Sequence, residues 1–148
     1  MATAKEMLNS ALEDDVTLAA ILTGGIFDPD DMFRPGLTPK LVPYDTDGVT
    51  ILPFATTRWQ SSSSYGPRRV AAERGSVEVY VYADVGYATI ETAISRIKTL
   101  LNDTYIFGAS DRRFVHFKSA TISGDLDEKD LSGAPMKFIR FQITQTRR

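Results

Sequence analysis

Cysteine is absent from this 148-residue chain, which excludes disulfides, thiolate nucleophiles and every cysteine-held zinc or iron–sulfur site. The absence agrees with assembly in a reducing cytoplasm without excluding secretion. Histidine occurs once, as His116, and tryptophan once, as Trp59. A surplus of positive charge is also missing. Lys and Arg number 17 against 19 Asp and Glu, a formal net charge of -2, so no global attraction to nucleic acid or anionic lipid is built in and any basic patch must be local. No stretch approaches the roughly 20 apolar residues that span a bilayer. Met1 to Ser10 lacks the apolar run and small-residue site of a signal peptide. The expectation is a soluble protein made without export, with no membrane partner.

What remains is the composition of an ordinary folded domain, 43% hydrophobic and 24% charged, long enough to bury a packed core. We read residues 1–148 as one domain, with amino-terminal helices over 1–25, an extended connector over 26–48, and a sheet with the main helix over 49–148. The apolar residues Met7, Leu8, Ala11, Leu12, Leu18, Ala19, Ile21 and Leu22 recur at spacings of three and four. They give two short helical pieces, the second started by an aspartate able to accept from orphan backbone amides. Gly24 and Gly25 supply the stop. Pro29, Pro35, Pro39 and Pro43 rule out a long element in the connector.

Val49 to Trp59 reads as a first strand whose useful part begins near Pro53, because proline has no amide hydrogen for a ladder. Ser61 to Ser64, with Tyr65, Gly66, Pro67, Arg68 and Arg69, is the one low-complexity stretch and predicts a mobile loop over 60–75. The clearest strand is Ser76 to Val85, where Val77, Val79, Val81 and Ala83 alternate with Glu78, Tyr80, Tyr82 and Asp84. Ile90, Ala93, Ile94, Ile97, Leu100 and Leu101 form a stripe at helical period and predict the main helix over 88–102. Arg113 to Ser123 and Lys137 to Arg147 read as two further strands. The class is therefore α+β, with a mixed or antiparallel sheet of about four strands and helices packed on one face.

Chemistry is sparse. His116 lies between Phe114 and Phe117 in an alternating strand, and no partner for a metal site or a triad presents itself. Asp45, Asp47 and Gly48 begin like a calcium turn, yet no carboxylate closes it, and the clusters Asp28, Asp30, Asp31 and Asp125, Asp127, Glu128, Asp130 also miss the spacing. These read as solvated turns and caps. No glycine pattern suits a phosphate loop. We therefore expect no catalytic residue, no cofactor and no metal, and no enzyme. Arg68, Arg69 and Arg74 can reach a neighbour from a loop, or be ordinary surface arginines. Tyr80 and Tyr82 on the polar face of the clearest strand, with Trp59 on the preceding one, pack either against another subunit or under the amino-terminal helices.

The helix pair Met7 to Leu22 ending in Gly24 and Gly25, with Ile26 and Phe27 behind it, leads to the strand begun by Pro53 and Phe54. The alternating strand Ser76 to Val85 runs into the helix Ala88 to Leu101, and a strand pair closes the chain. In this order of elements, over nearly the whole length, the sequence resembles the tail terminator and tail-completion proteins of long-tailed phages. The resemblance implies an α+β structural virion protein, assembled in the host bacterial cytoplasm, that forms a ring, typically a hexamer. Such a ring caps the tail tube and joins it to the head. Implied partners are copies of itself, the tail tube protein and head-side connector or neck proteins, with DNA at most passing through the lumen.

Under this reading the loop Gln60 to Gly75 and the connector Asp28 to Pro43 make intersubunit or axial contacts. Arg68, Arg69, Arg74, Tyr65, Trp59, Tyr80, Tyr82, Phe33 and Arg34 are the candidate interface residues. The alternatives are another neck, head-closure or tail-tube component, a small-molecule-binding α+β module, and an enzyme using His116 with an acidic partner.

Overall fold

A computed structural model of the chain describes residues 4–27, 43, 45–59, 63–65, 72–107, 114–128 and 134–146. Helix α1 (Ala4–Glu13) and helix α2 (Val16–Ile21) open the chain. Strands β1 (Gly25–Phe27), β2 (Phe54–Trp59), β3 (Ser63–Tyr65) and β4 (Ala72–Tyr82) follow. Helix α3 (Tyr87–Leu101) then leads to β5 (Thr104–Phe107), β6 (Phe114–Ile122), β7 (Leu126–Glu128) and β8 (Ala134–Thr146).

All the described strands belong to one mixed sheet. Its main path runs β1-β2-β4-β8-β6-β5, with β3 added to β4 and β7 added to β8. The expected four strands are thus too few: eight are described, and β1, β3, β5 and β7 have only three or four residues each. Segments so short contain too few alternations to stand out from a loop. The ends of the predicted 60–75 loop are also strand. Ser63 to Tyr65 pairs with Arg74 to Ala72, and β4 pairs with β8 from Ala72 onward. The pair β1–β2 is parallel, so Gly25 to Phe27 is the first edge of the sheet and not the start of a connector.

Helix α1 touches both β1 and β5, the two ends of the strand order. The sheet must therefore curl until its edges approach the same helix, rather than lie flat beneath a helical layer. The concave side holds the main core. Val77, Val79 and Val81 of β4, Phe117 of β6, and Ile139 and Phe141 of β8 meet Leu8 and Leu12 of α1, Leu18 of α2 and the α3 stripe Ile90, Ala93, Ile94, Ile97 and Leu101. Each large side chain fully withdrawn from water here contributes about 1.5–3 kcal/mol.

Two local devices fix the helices to this frame. The Asp15 carboxylate accepts the Leu18 N–H at 2.8 Å as the α2 cap. The same carboxylate takes two bonds from Arg96 of α3, at 2.9 and 2.7 Å. That charge-assisted fork holds the Asp15 carboxyl below its ordinary value. Gly24 is the tight point of the turn into β1. Its N–H donates to the Pro53 carbonyl at 2.8 Å, and a Cβ there would lie 2.8 Å from Pro43 Cγ and 2.9 Å from that same carbonyl oxygen.

Candidate functional site

Period-two alternation sends every second residue of β2, β4, β8 and β6 to the side of the sheet opposite the helices. No helix covers that side among the described residues. Register then decides which side chains meet. Phe54, Tyr82 and Met136 share one row, Thr56, Tyr80 and Phe138 the next, and Arg58, Glu78 and Arg140 a third. Beyond them lie Lys118, opposite Gln142, and Arg74, in the same row as Thr144 and His116.

The first row is a small second core. Tyr82 and Phe54 are both fully buried, stack at 4.8 Å, and pack with Ile51 and Ala134, while Phe27 meets Phe54 edge-on at 6.1 Å. Tyr82 is consequently not a surface residue waiting for another subunit, and the side chains packed on it in this small core are not those of the amino-terminal helices. Its cover comes from the turn leading into β2 and the start of β8. Trp59 takes the second of the two expected places, on the side of the amino-terminal helices. It pairs with Val77 and packs against the main core, on the helical side, with its indole N–H buried and without a hydrogen-bond partner among the described residues.

Tyr80 is half-buried on the helix-free side and joins a polar row. Its hydroxyl donates to Glu78 Oε2 at 2.6 Å, and the guanidinium of Arg58 lies 4.2 Å above its ring. Arg140 donates to Glu78 Oε1 from Nη2 at 2.9 Å and from Nε at 3.3 Å, and lies over the Phe138 ring at 5.3 Å. Arg58 Nη2 donates to Tyr82 Oη at 3.2 Å. Burial, then the bond to the Glu78 carboxylate, pushes the Tyr80 phenol up to about 12. The Glu78 side chain is only 5% exposed, whereas Arg140 keeps 46%. The carboxylate is thus sunk in the sheet while one of its cations still faces water.

At the far edge, Tyr105 of β5 stacks on His116 at 4.1 Å and on Phe107 at 6.0 Å. Tyr105 and Phe107 are 53% and 67% exposed, large apolar rings on an edge strand where such surface is rarely left without use. His116 does have an acidic neighbour. The turn residue Asp103, at φ 53, places Oδ1 3.0 Å from His116 Nε2. Pairing of Tyr105 with His116 creates that contact. Among the described residues Asp103 is the hydrogen-bond partner of His116, so the pair orients the ring without delivering it to a nucleophile.

The acidic turn at Asp45 and Asp47 is closed on itself. Asp47 accepts from the Val49 and Thr50 amides, both at 2.8 Å, and from the Thr50 hydroxyl at 2.6 Å. Those bonds, the hydroxyl first, hold its carboxyl below the ordinary value. No group of three metal-ligating side chains occurs among the described residues, and no described helix is long and apolar enough to cross a membrane.

Of the candidate interface residues, Arg74 is exposed on the helix-free side and Tyr80 is half-buried there. Tyr65 is in β3, paired with Ala72. Phe33, Arg34, Arg68 and Arg69 lie outside the described residues, as do Asp28, Asp30 and Asp31. Sequence reading missed Arg58, Lys118, Arg140, Tyr105 and Phe107. The alternation around Ile139 and Ile143 already put Arg140 on the non-core side, but only register brings it to Glu78.

No protein-family model matches the chain, and no curated protein matches it. Among solved structures the chain is similar to one described as "Virion of native gene transfer agent (GTA) particle". The TM-score is 0.59 at 16% identity, covering 94% of this chain and 90% of that one. At that identity the likeness concerns the fold, and it runs nearly end to end in both chains.

Proposed function

We propose that this chain is a structural subunit of a phage-like virion, and within it the tail terminator or tail-completion subunit, acting as a ring between the tail tube and the head. The observation that carries the reading is the near end-to-end likeness of fold to a chain from an assembled virion. The helix-free sheet face agrees with it. It offers arginines laid over aromatic rings and an edge strand with exposed Tyr105 and Phe107, the side-chain types enriched where proteins meet.

The mechanism is one of shape and closure. A tube made of stacked rings presents an unsatisfied end after every addition, and a subunit that binds this end without reproducing it stops growth. A head-to-tail contact that closes after one turn makes the cap a ring, because each copy supplies two different complementary patches. The second axial surface of that ring is then free to receive the head. No bond is made or broken, and no cofactor enters. Assembly in the bacterial cytoplasm before joining follows from the same reading.

The test is genetic and visual. In the particle-forming system that encodes the chain, its removal is expected to give filled heads and separate tubes of uncontrolled length, and resupply of the wild-type chain restores joined particles. Joined particles of normal length made without it would overturn the assignment.

A further inference from the structure

The helix-free face is basic although the chain is not. Among the described residues its outer rows carry Arg58, Arg74, Lys118 and Arg140 against two carboxylates, Glu78, buried beneath Arg140, and the exposed Asp103, bonded to His116 in the row of Arg74. Lys118, Arg74 and Arg140 are exposed. With a formal net charge of -2 overall, the rest of the chain is necessarily more acidic than the total.

Part of that acid is gathered on the opposite side of the sheet. Helix α1 buries Met7, Leu8 and Leu12 and turns Glu6, Ser10 and Glu13 outward at spacings of four and three. Exposed Asp14 extends the stripe. No basic residue occupies the last turn of the helix.

We infer that the basic sheet face of one copy docks on the acidic α1 stripe of the next. The inference rests on the ring reading and specifies which surfaces close it. Patches of opposite charge on opposite sides of one fold form a heterologous contact, the kind that propagates head to tail and closes into a ring. A second copy is favoured over nucleic acid because the complementary surface is present in the same chain, while the overall negative charge repels a polyanion. Charge complementarity sets register and discourages wrong contacts, with like charges across the contact opposing it.

The experiment uses two double variants of the full chain, both altered only at exposed positions outside the hydrogen-bonded cluster of Tyr80, Glu78 and Arg140. One is Arg74→Glu with Lys118→Glu; the other is Glu13→Lys with Asp14→Lys. Circular dichroism and thermal unfolding establish that each variant folds as the wild type does. Sedimentation equilibrium is run in about 0.01 M and about 1 M salt, where the screening length falls from about 30 Å to about 3 Å.

Expected are a wild-type assembly that weakens about tenfold or more at high salt and a comparable loss in either variant at low salt. An equimolar mixture of the two variants should recover assembly, because each restores the opposite charge that the other lacks. Wild-type rings that both variants match would overturn this pairing and leave the ring reading intact. A wild-type chain monomeric at both salt concentrations would remove both. Binding of a duplex oligonucleotide that Arg74→Glu with Lys118→Glu abolishes, with assembly unchanged, would assign the face to nucleic acid and overturn the inference.

Discussion

Replacing Tyr82 by alanine separates a core residue from an interface residue. The ring is fully buried and stacked on Phe54 at 4.8 Å. An aromatic side chain of this kind removes about 150–250 Å² from water, which at about 25 cal/mol per Å² gives about 4–6 kcal/mol as an upper bound. Truncation of buried aromatics costs about 3–5 kcal/mol in practice, since part of the cavity collapses. For a chain of this length that corresponds to a fall in Tm of about 10–20 °C. Tyr82→Phe keeps the ring and loses only the hydroxyl that accepts from Arg58 at 3.2 Å, so its cost should be about 1 kcal/mol or less.

The assay is urea unfolding followed by circular dichroism in high salt, at protein concentrations where the chain is monomeric, so that any loss belongs to the fold and not to association. A Tyr82→Ala chain within about 1 kcal/mol of wild type would refute the placement of this ring in a second core. It would also return Tyr82 to the surface.

Gly24→Ala is expected to destabilise by about 1–3 kcal/mol, because the new methyl group meets the Pro53 carbonyl at 2.9 Å and Pro43 Cγ at 2.8 Å; an unchanged urea midpoint would show that the turn gives way freely. The Asp15 carboxyl, held down first by its hydrogen bond from Arg96 and further by the Leu18 amide, contributes stability that is complete above its ordinary value of 3.8 and is lost as pH falls through the lower folded-state value. Tm against pH should therefore decline less steeply below about 4 in Asp15→Ala than in wild type, and parallel profiles would count against the Arg96 fork. The Tyr80 phenol, raised to about 12 by burial and then by Glu78, contributes stability present below its ordinary value of about 10 and lost as pH rises towards 12. Ultraviolet difference titration should show late tyrosine ionisation, and Tyr80→Phe should lower its amplitude by one phenol.

The α3 stripe and the β4 alternation were legible because period itself carries the information: Ile90, Ala93, Ile94 and Ile97 face the core whatever the rest of the chain does, and Val77, Val79 and Val81 do likewise. The aspartate cap at the start of α2 and the glycine turn after it were legible for a related reason, since a cap and a left-handed turn act within a few residues. The predicted loop over 60–75 failed where serine-rich composition outweighed pairing: Ser63 to Tyr65 is held by β4, a neighbour that composition does not name.

Everything about the candidate site beyond sidedness came from tertiary structure. Alternation put Glu78, Tyr80, Tyr82 and Arg140 away from the helices, but Glu78 meets Arg140 across 62 positions of chain through the β4–β8 register. The Asp103–His116 contact likewise exists because β5 folds back on β6. The burial of Tyr82 depends on Ile51 and Ala134 arriving from distant segments. A sequence fixes which face of each element is apolar, because that is local geometry. Which elements become neighbours, in what register, and which polar residues are thereby covered or left in water is settled only when the whole core minimises its exposed surface together.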